Sequence, residues 1–201
     1  MFYSPDADLT RKVVKACYEG GIRAFEFTNR GDGAHRVFRD VIEFVRRECP
    51  EMALGAGTIL DAPTAAMYIQ LGADFIVSPC CVEDVIRLAN RRGVPCSPGC
   101  GTVTEIVHAQ EMGCDLVKIF PAGNVGGPEF VKNVLAPLPW SMLMCSGAVE
   151  PTEENLRAWA ESGVTAVGMG SRLFPDEAVK AGDWAAISKL CRKCLEWFKR
   201  K

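Results

Sequence analysis

The chain has 201 residues, of which 48% are hydrophobic and 24% are charged, and its formal net charge is -2 at pH 7. This length predicts one globular domain over residues 1–201. Because the chain has 25 acidic and 23 basic residues, its net charge does not favour a nucleic-acid partner. No apolar run reaches the roughly 18 residues of a membrane helix, and the first residues lack a signal-peptide pattern. We therefore expect a cytoplasmic protein that does not bind membranes.

Ten cysteines and two histidines raise the question of a metal site. A structural zinc site needs two close pairs of ligands. Cys191 and Cys194 form one such pair, but they lie in a helical pattern, and Cys96 and Cys100 flank a Pro-Gly turn. We therefore expect reduced thiols, several of them in the core, with no metal and no other cofactor.

Amphipathic helical stretches alternate with short apolar runs along the whole chain. Seven helices are predicted, over 8–19, 35–48, 61–71, 82–92, 102–112, 128–135 and 152–162. Each is followed by a strand-like run, and these runs are, in the same order, 19–28, 52–58, 70–79, 91–99, 111–121, 141–147 and 161–170. A last helix is predicted over 184–199. Strict alternation with nearly continuous apolar strands indicates a parallel sheet covered by helices.

A glycine recurs where a helical pattern gives way to an apolar run. A helix that ends in a left-handed residue favours glycine, which has no Cβ to clash. We therefore predict a left-handed backbone at five positions, namely Gly21, Gly72, Gly93, Gly113 and Gly163.

An open doubly wound sheet and a closed (β/α)8 TIM barrel both fit this alternation, so the position of the unusual residues has to decide. Nearly every apolar run ends in a polar residue or a tight turn. A barrel collects ligand groups from the carboxyl ends of many strands, whereas an open sheet concentrates them at one switch point. The barrel is favoured. About 200 residues is its lower size limit, and Phe2 and Tyr3 can supply only a short or incomplete first strand.

Lys118 lies in the middle of the apolar run DLVKIFP and shares a face with Leu116 and Phe120. Burial would lower the pKa of its amine and make it able to attack a carbonyl carbon. An ion pair inside a barrel is an equally acceptable role at this point.

Glu26 lies in the run AFEFTNR, on the same strand face as Thr28 and Arg30. An inward-facing carboxylate needs a partner, and Lys118 is the natural one. A lysine and a glutamate in a dry cavity supply a nucleophile and a proton carrier, the minimum for imine chemistry. A purely structural salt bridge would leave Thr28 and Arg30 unexplained.

Small residues follow the last two predicted strands. The segments SGAVEPT and GMGSRLF place backbone N–H groups where a ligand can approach closely. In barrels the loops after the seventh and eighth strands commonly form a phosphate site. These segments therefore indicate an anion site.

Taken together, the motifs closely resemble those of the class I 2-keto-3-deoxy-6-phosphogluconate (KDPG) / 4-hydroxy-2-oxoglutarate (KHG) aldolases. The resemblance covers almost the whole chain, through Glu26, Thr28 and Arg30; Gly55, Gly57 and Thr58; Phe75, Ser78 and Pro79; Pro98, Gly99, Thr102 and Glu105; Val117, Lys118, Phe120, Pro121 and Ala122; Gly126 and Gly127; and Gly168, Gly170 and Ser171.

The resemblance implies a homotrimeric (β/α)8 barrel that cleaves KDPG, or a related 2-keto-4-hydroxy acid, to pyruvate and glyceraldehyde 3-phosphate or glyoxylate. Lys118 would form the Schiff base and Glu26 would move protons. The implied substrate-binding residues are Arg30 and Thr58 at the pyruvyl carboxylate, Pro79 and Phe120 along the pocket wall, and Gly147, Ala148, Gly170 and Ser171 at the phosphate.

The chain departs from the usual family pattern in three places. Gly147-Ala148 stands where members usually carry Gly-Gly, Gly31 follows Arg30 where many carry a hydroxyl residue, and members usually begin with a further helix and a complete first strand. We expect effects on phosphate binding, on sugar preference and on barrel closure.

Two other functions remain open. One is a phosphosugar isomerase or decarboxylase that uses Glu26 as a base and Lys118 as an electrostatic clamp. The other is a catalytically silent barrel that serves as an oligomeric scaffold.

Overall fold

A computed structural model describes residues 1–199, and strands and helices alternate along it. The strands are β1 (Ala24–Thr28), β2 (Ala53–Gly57), β3 (Ile76–Val77), β4 (Cys96–Ser97), β5 (Gly99–Cys100), β6 (Leu116–Ile119), β7 (Met142–Ser146) and β8 (Ala166–Gly168). The helices are α1 (Ala7–Glu19), α2 (Ala34–Glu48), α3 (Ala62–Gln70), α4 (Glu83–Arg91), α5 (Val103–Glu111), α6 (Gly127–Leu135), α7 (Glu153–Glu161), α8 (Asp176–Ala181) and α9 (Trp184–Trp197).

All strand pairs are parallel, in two sheets with the orders β1-β2-β3-β4 and β5-β6-β7-β8. Every predicted strand-like run contains a strand, and all eight predicted helices are present with ends within about two residues. The sequence did not predict the short helix α8 or the 3₁₀ turn Ser171–Leu173 before it.

The break between the two sheets falls at Pro98, inside a single extended run. Proline has no N–H to donate, so the strand hydrogen bonding of this run is interrupted at Pro98, between β4 and β5. The Pro98 carbonyl still accepts the Lys118 backbone N–H at 3.0 Å, and β4 pairs with β3. The run 96–100 therefore links the two sheets.

Phe2 lies on the other side of β1. Its N–H donates to the Glu26 carbonyl at 3.0 Å, and its carbonyl accepts the Thr28 N–H at 3.0 Å. The Met1 amino group donates to the Met169 carbonyl at 2.7 Å, immediately after β8. Residues 1–2 thus lie between the first and last strands. With β4 and β5 counted as one strand position, the remaining position of the barrel is occupied by Phe2, which forms a single bridge to Phe27, as expected for a short first strand.

This arrangement is the (β/α)8 class, in which the strands form two four-stranded parallel sheets. The hydrophobic core lies between the sheets and the surrounding helices. Phe27, for example, packs edge-on against Phe38, which packs edge-on against Tyr68. Tyr68 and Trp159 are fully buried, so both are core residues of this chain.

The backbone at all five helix-terminating glycines is left-handed, with φ between +63° and +99°. The predicted helix starts are also present. The Asp61 carboxylate accepts the Thr64 N–H at 2.8 Å, and the Thr152 hydroxyl accepts the Asn155 N–H at 3.4 Å. Local sequence signals therefore fix where the helices begin and end.

The ten cysteines are all free thiols, and eight of them are buried. Cys80 is exposed and Cys81 is half-buried, so Cys80 is not a packing residue. Within residues 1–199, no group of three or more His, Cys, Asp or Glu side chains is arranged to hold a metal ion. No helix in this part of the chain is long and apolar enough to cross a membrane.

Candidate active site

The strand register places the two predicted catalytic residues in different sheets. Glu26 on β1 pairs with Gly55, and Lys118 on β6 pairs with Gly99. Both side chains are buried, with 8% of Glu26 and 4% of Lys118 exposed. Ionisable groups are rarely buried this deeply in a stable core unless they face charged partners or carry out chemistry.

The pKa of Lys118 is lowered, and its burial is the main cause because desolvation disfavours the ammonium form. The Glu26 carboxylate acts in the opposite direction and raises the pKa, while the Arg30 guanidinium lowers it further. Glu26 and Arg30 therefore both lie within electrostatic reach of Lys118. A lowered pKa increases the fraction of neutral amine, which is the nucleophilic form.

Glycine makes room for the Glu26 carboxylate. A Cβ at Gly57, at the end of β2, would overlap the Glu26 carboxylate. A Cβ at Gly99 would overlap the backbone at Pro79 in the same way. The absence of side chains at Gly57 and Gly99 therefore leaves the space that the Glu26 carboxylate and the Pro79 backbone occupy.

Arg30 and Thr58 follow β1 and β2 directly. Arg30 is exposed, and its backbone N–H donates to the Thr28 carbonyl at 3.0 Å. Thr58 is half-buried and has a left-handed backbone, with φ of +61°. A threonine in this conformation costs free energy, and such strain clusters at functional sites. Both residues lie at the strand ends where the resemblance places the substrate carboxylate.

Phe120 and Pro79 border the buried lysine and the turn after β3. The Lys118 Nζ atom lies 5.0 Å from the centre of the Phe120 ring, a distance at which an ammonium is attracted to the ring face. Pro79 lies after Ser78, and its carbonyl approaches Gly99. The structure therefore places Phe120 beside the amine and Pro79 beside the strand that pairs with Lys118.

The turns after β7 and β8 contain the four predicted phosphate-binding residues. Gly147 and Ala148 have φ of +93° and +62°, and Ala148 is exposed. Gly170 precedes the 3₁₀ turn that begins at the exposed Ser171. Since β7 pairs with β8 through Ser146 and Gly168, the two turns are neighbours at one end of the sheet. Successive N–H groups in such turns can form a concave anion site.

A cavity of about 890 Å³ reaches Glu26 from the amino ends of the strands. Its wall includes Ala24, Ala53, Phe75, Pro95 and Leu116, all at or just before the start of their strands, but not Lys118. The wall also includes Gly168, Met169 and Leu173 at and after the end of β8, so the cavity extends along the interior from the amino ends of the strands and includes Glu26 in its lining.

The comparison with known families decides which family this chain represents. The model of the KDPG and KHG aldolase family matches residues 3–190. The chain belongs to the KDPG/KHG aldolase family.

Two named relatives illustrate the similarity. The 2-dehydro-3-deoxy-phosphogluconate aldolase of Pseudomonas aeruginosa is 36% identical over 187 residues, covering 92% of this chain and 82% of the relative. The KHG/KDPG aldolase of Escherichia coli is 33% identical over 185 residues, covering 92% and 84%.

A solved structure extends the likeness to three dimensions. The KDPG aldolase of Legionella pneumophila, with pyruvate captured as a covalent carbinolamine intermediate, matches with a TM-score of 0.85 and 25% identity, and the match covers 96% of this chain and 90% of that one. The family resemblance inferred from the motifs is thus confirmed over nearly the whole chain.

Reasoning from the sequence assigned no individual role to two residues that shape the site. Gly57 was part of a family motif, but its contact with Glu26 depends on the register between β1 and β2. Asn155 carried no signal beyond its place in the first turn of a helix, although its side chain binds the turn after β7.

Proposed function

We propose that residues 1–201 form one aldolase domain that cleaves 2-keto-4-hydroxy acids through a Schiff base on Lys118. The observation that carries this proposal is the burial of Lys118, with a lowered pKa, within electrostatic reach of the Glu26 carboxylate. A neutral amine in a water-poor site can attack a ketone, and a neighbouring carboxylate can exchange protons with the adduct.

The reaction begins when the Lys118 amine adds to the C2 carbonyl carbon of the keto acid. Proton transfer through Glu26 gives a carbinolamine, and loss of its hydroxyl as water leaves a protonated imine. The C3–C4 bond then breaks. Its electron pair becomes the C2=C3 double bond of an enamine as the C=N π pair moves onto the Lys118 nitrogen, while the C4 hydroxyl gives its proton to Glu26 and C4 becomes the aldehyde carbon.

Release of pyruvate reverses the first half of the reaction. Glu26 returns the proton to C3 of the enamine, which restores the imine, and water then hydrolyses the imine to free pyruvate and the Lys118 amine. One residue thus acts in turn as base and acid. Arg30 and Thr58 hold the carboxylate next to C2, and Pro79 and Phe120 bound the pocket.

The turns after β7 and β8 bind the phosphate of the aldehyde half, through backbone groups at Gly147, Ala148, Gly170 and Ser171. This assignment is supported by their position at neighbouring strand ends and by the left-handed backbone at Gly147 and Ala148. KDPG, which has a terminal phosphate, is therefore the expected substrate. The substrate to compare with it is 4-hydroxy-2-oxoglutarate, which has no phosphate.

Borohydride trapping tests the proposal. We expect incubation with pyruvate and borohydride to add the mass of a reduced pyruvate adduct to Lys118, as located by peptide mass spectrometry. Lys118→Ala should abolish the adduct, and Lys132→Ala, at an exposed lysine of α6, should retain it. Unmodified wild-type protein that turns over an isomerisable sugar phosphate would instead support the isomerase function with Lys118 as a clamp. A barrel inactive in both assays would be the silent scaffold.

The trimer belongs to the same proposal. It is supported by the family resemblance and by large apolar side chains that the single chain leaves in solvent, above all Trp140, which is 70% exposed. Light scattering should give the mass of three chains, and the mass of one chain at assay concentration would contradict the trimer. The cytoplasmic location expected from the sequence stays a prediction.

A further inference from the structure

The turn after β7 holds a residue with a side chain in a backbone conformation that normally requires glycine. Ala148 has φ of +62° and directly follows Gly147, whose φ is +93°. A Cβ is disfavoured in the left-handed region, so Ala148 stays there only if its surroundings hold it. The contacts of the turn identify the group that does so.

Asn155 reaches back to this turn from the first turn of α7. Its Nδ2 donates to the Ala148 carbonyl at 3.2 Å, and its Oδ1 accepts the Glu150 N–H at 2.8 Å. One planar amide therefore joins both ends of the segment 148–150. The backbone N–H of Asn155 donates to the Thr152 hydroxyl, so the start of α7 fixes the position of the Asn155 side-chain amide.

Other contacts pack around the same turn. A Cβ at Gly123, in the loop after β6, would overlap the Ala148 methyl, so the absence of a side chain at 123 makes room for the one at 148. The Ala122 N–H donates to the Ser146 carbonyl at 2.9 Å. On the other side, the Glu150 carboxylate pairs with Arg172, in the 3₁₀ turn after β8. None of these groups hydrogen-bonds both ends of the segment, as Asn155 does.

We propose that Asn155 is a positioning residue that sets the preference for substrates with a phosphate on the aldehyde half. The proposal rests on the proposed function, because it assigns the phosphate to this turn. Without the Asn155 amide, Ala148 loses the bond that offsets its backbone strain, and its φ returns towards negative values. That change rotates the N–H groups of the turn away from the phosphate. Lys118 and Glu26 lie on β6 and β1 and keep their geometry.

The experiment is a double-mutant cycle between Asn155→Ala and Ala148→Gly, with KM and kcat measured for KDPG and for 4-hydroxy-2-oxoglutarate. We expect Asn155→Ala to raise KM for KDPG roughly tenfold, as for the loss of one or two hydrogen bonds. The KM and kcat for 4-hydroxy-2-oxoglutarate should not change. Because glycine adopts the left-handed backbone without strain, Asn155→Ala should have a much smaller effect in the Ala148→Gly background.

Arg157→Ala is the matched control. Arg157, also on α7, pairs with Glu153, so this change removes a side-chain bond of the same helix but neither Asn155 side-chain bond, and the KM ratio of the two substrates should not change. If Asn155→Ala does not fold, Asn155→Ser replaces it, since a serine hydroxyl is too short to span both partners.

An unchanged KM ratio in the Asn155 variant would overturn the proposal. So would an equal effect of Asn155→Ala in the wild-type chain and in the Ala148→Gly variant. Borohydride trapping separates this failure from failure of the proposed function: a trapped adduct with an unchanged ratio removes only the role of Asn155, whereas no adduct in the wild type removes the aldolase itself.

Discussion

The two ends of the proposed site are built from different materials. At the pyruvate end, the groups are side chains on strands, and both Glu26 and Lys118 are buried. At the phosphate end, they are backbone N–H groups in turns, where Ala148 and Ser171 are exposed. Covalent chemistry needs a desolvated amine with a shifted pKa, whereas a phosphate needs converging donors and can remain partly in water. Changes at the first end should therefore affect kcat, and changes at the second should affect KM for phosphorylated substrates.

The largest effect is expected from removing the nucleophile. Lys118→Met should lower kcat for KDPG by at least about a thousandfold, the scale seen when a covalent nucleophile is lost. Its melting temperature should stay the same or rise, because a buried ammonium is costly and methionine is apolar. Activity and thermal melting measured on one preparation test this. A variant that retains kcat would show that the pyruvate end does not work through Lys118.

A methyl group at Gly57 tests the position of the carboxylate. Gly57→Ala should displace the Glu26 carboxylate and lower kcat roughly a hundredfold, since a shift of about 1 Å can have that effect. Gly101→Ala is the control, because a Cβ there meets neighbouring atoms only at 3.5 Å or more. Equal kcat values in the two variants would contradict the importance of the contact between Glu26 and Gly57.

At the other end of the site, Gly147→Ala should act on KM. A side chain at φ of +93° is strained by about 1–3 kcal/mol, so the turn should rearrange. We expect KM for KDPG to rise roughly tenfold, as a change of about 1.4 kcal/mol would give, with KM for 4-hydroxy-2-oxoglutarate unchanged. A kcat loss shared by both substrates would instead mean that the two ends are not independent.

The smallest effect concerns the pH profile. Arg30 lowers the pKa of Lys118 in the free enzyme, so Arg30→Gln should raise that pKa and move the acid limb of kcat/KM to higher pH. Glu26 acts in the opposite direction, and in Glu26→Gln the limb of the residual activity should move to lower pH. Shifts of the same sign in the two variants would show that Glu26 and Arg30 do not act on Lys118 through their charges.

Much of the fold was predictable because its signals are local. The bounds of eight helices and the approximate positions of the strands followed from periodicity, and the left-handed glycines at the helix ends followed from the loss of the helical pattern at each one. The position of Lys118 in an apolar strand was likewise a local signal. The family resemblance then assigned roles to residues such as Arg30 and Thr58, which periodicity alone did not distinguish.

The details that depend on contacts between distant segments were not predictable in this way. The division of the run 96–100 at Pro98 depends on the pairing of its first part with β3 and of its last part with β6. The left-handed backbone at Ala148 and the two Asn155 hydrogen bonds depend on how α7 approaches β7.

The sequence by itself determined the order of the strands and of the eight predicted helices, the ends of those helices, the parallel barrel class and the identity of the buried lysine and carboxylate. These properties follow from hydrophobic patterning and local backbone preference, which act over a few residues. Only the tertiary structure decided that Phe2 lies between the end strands, that Gly57 makes room for Glu26, and that Asn155 holds the turn after β7. Each of these depends on register and packing between segments far apart in the chain, which no local pattern encodes.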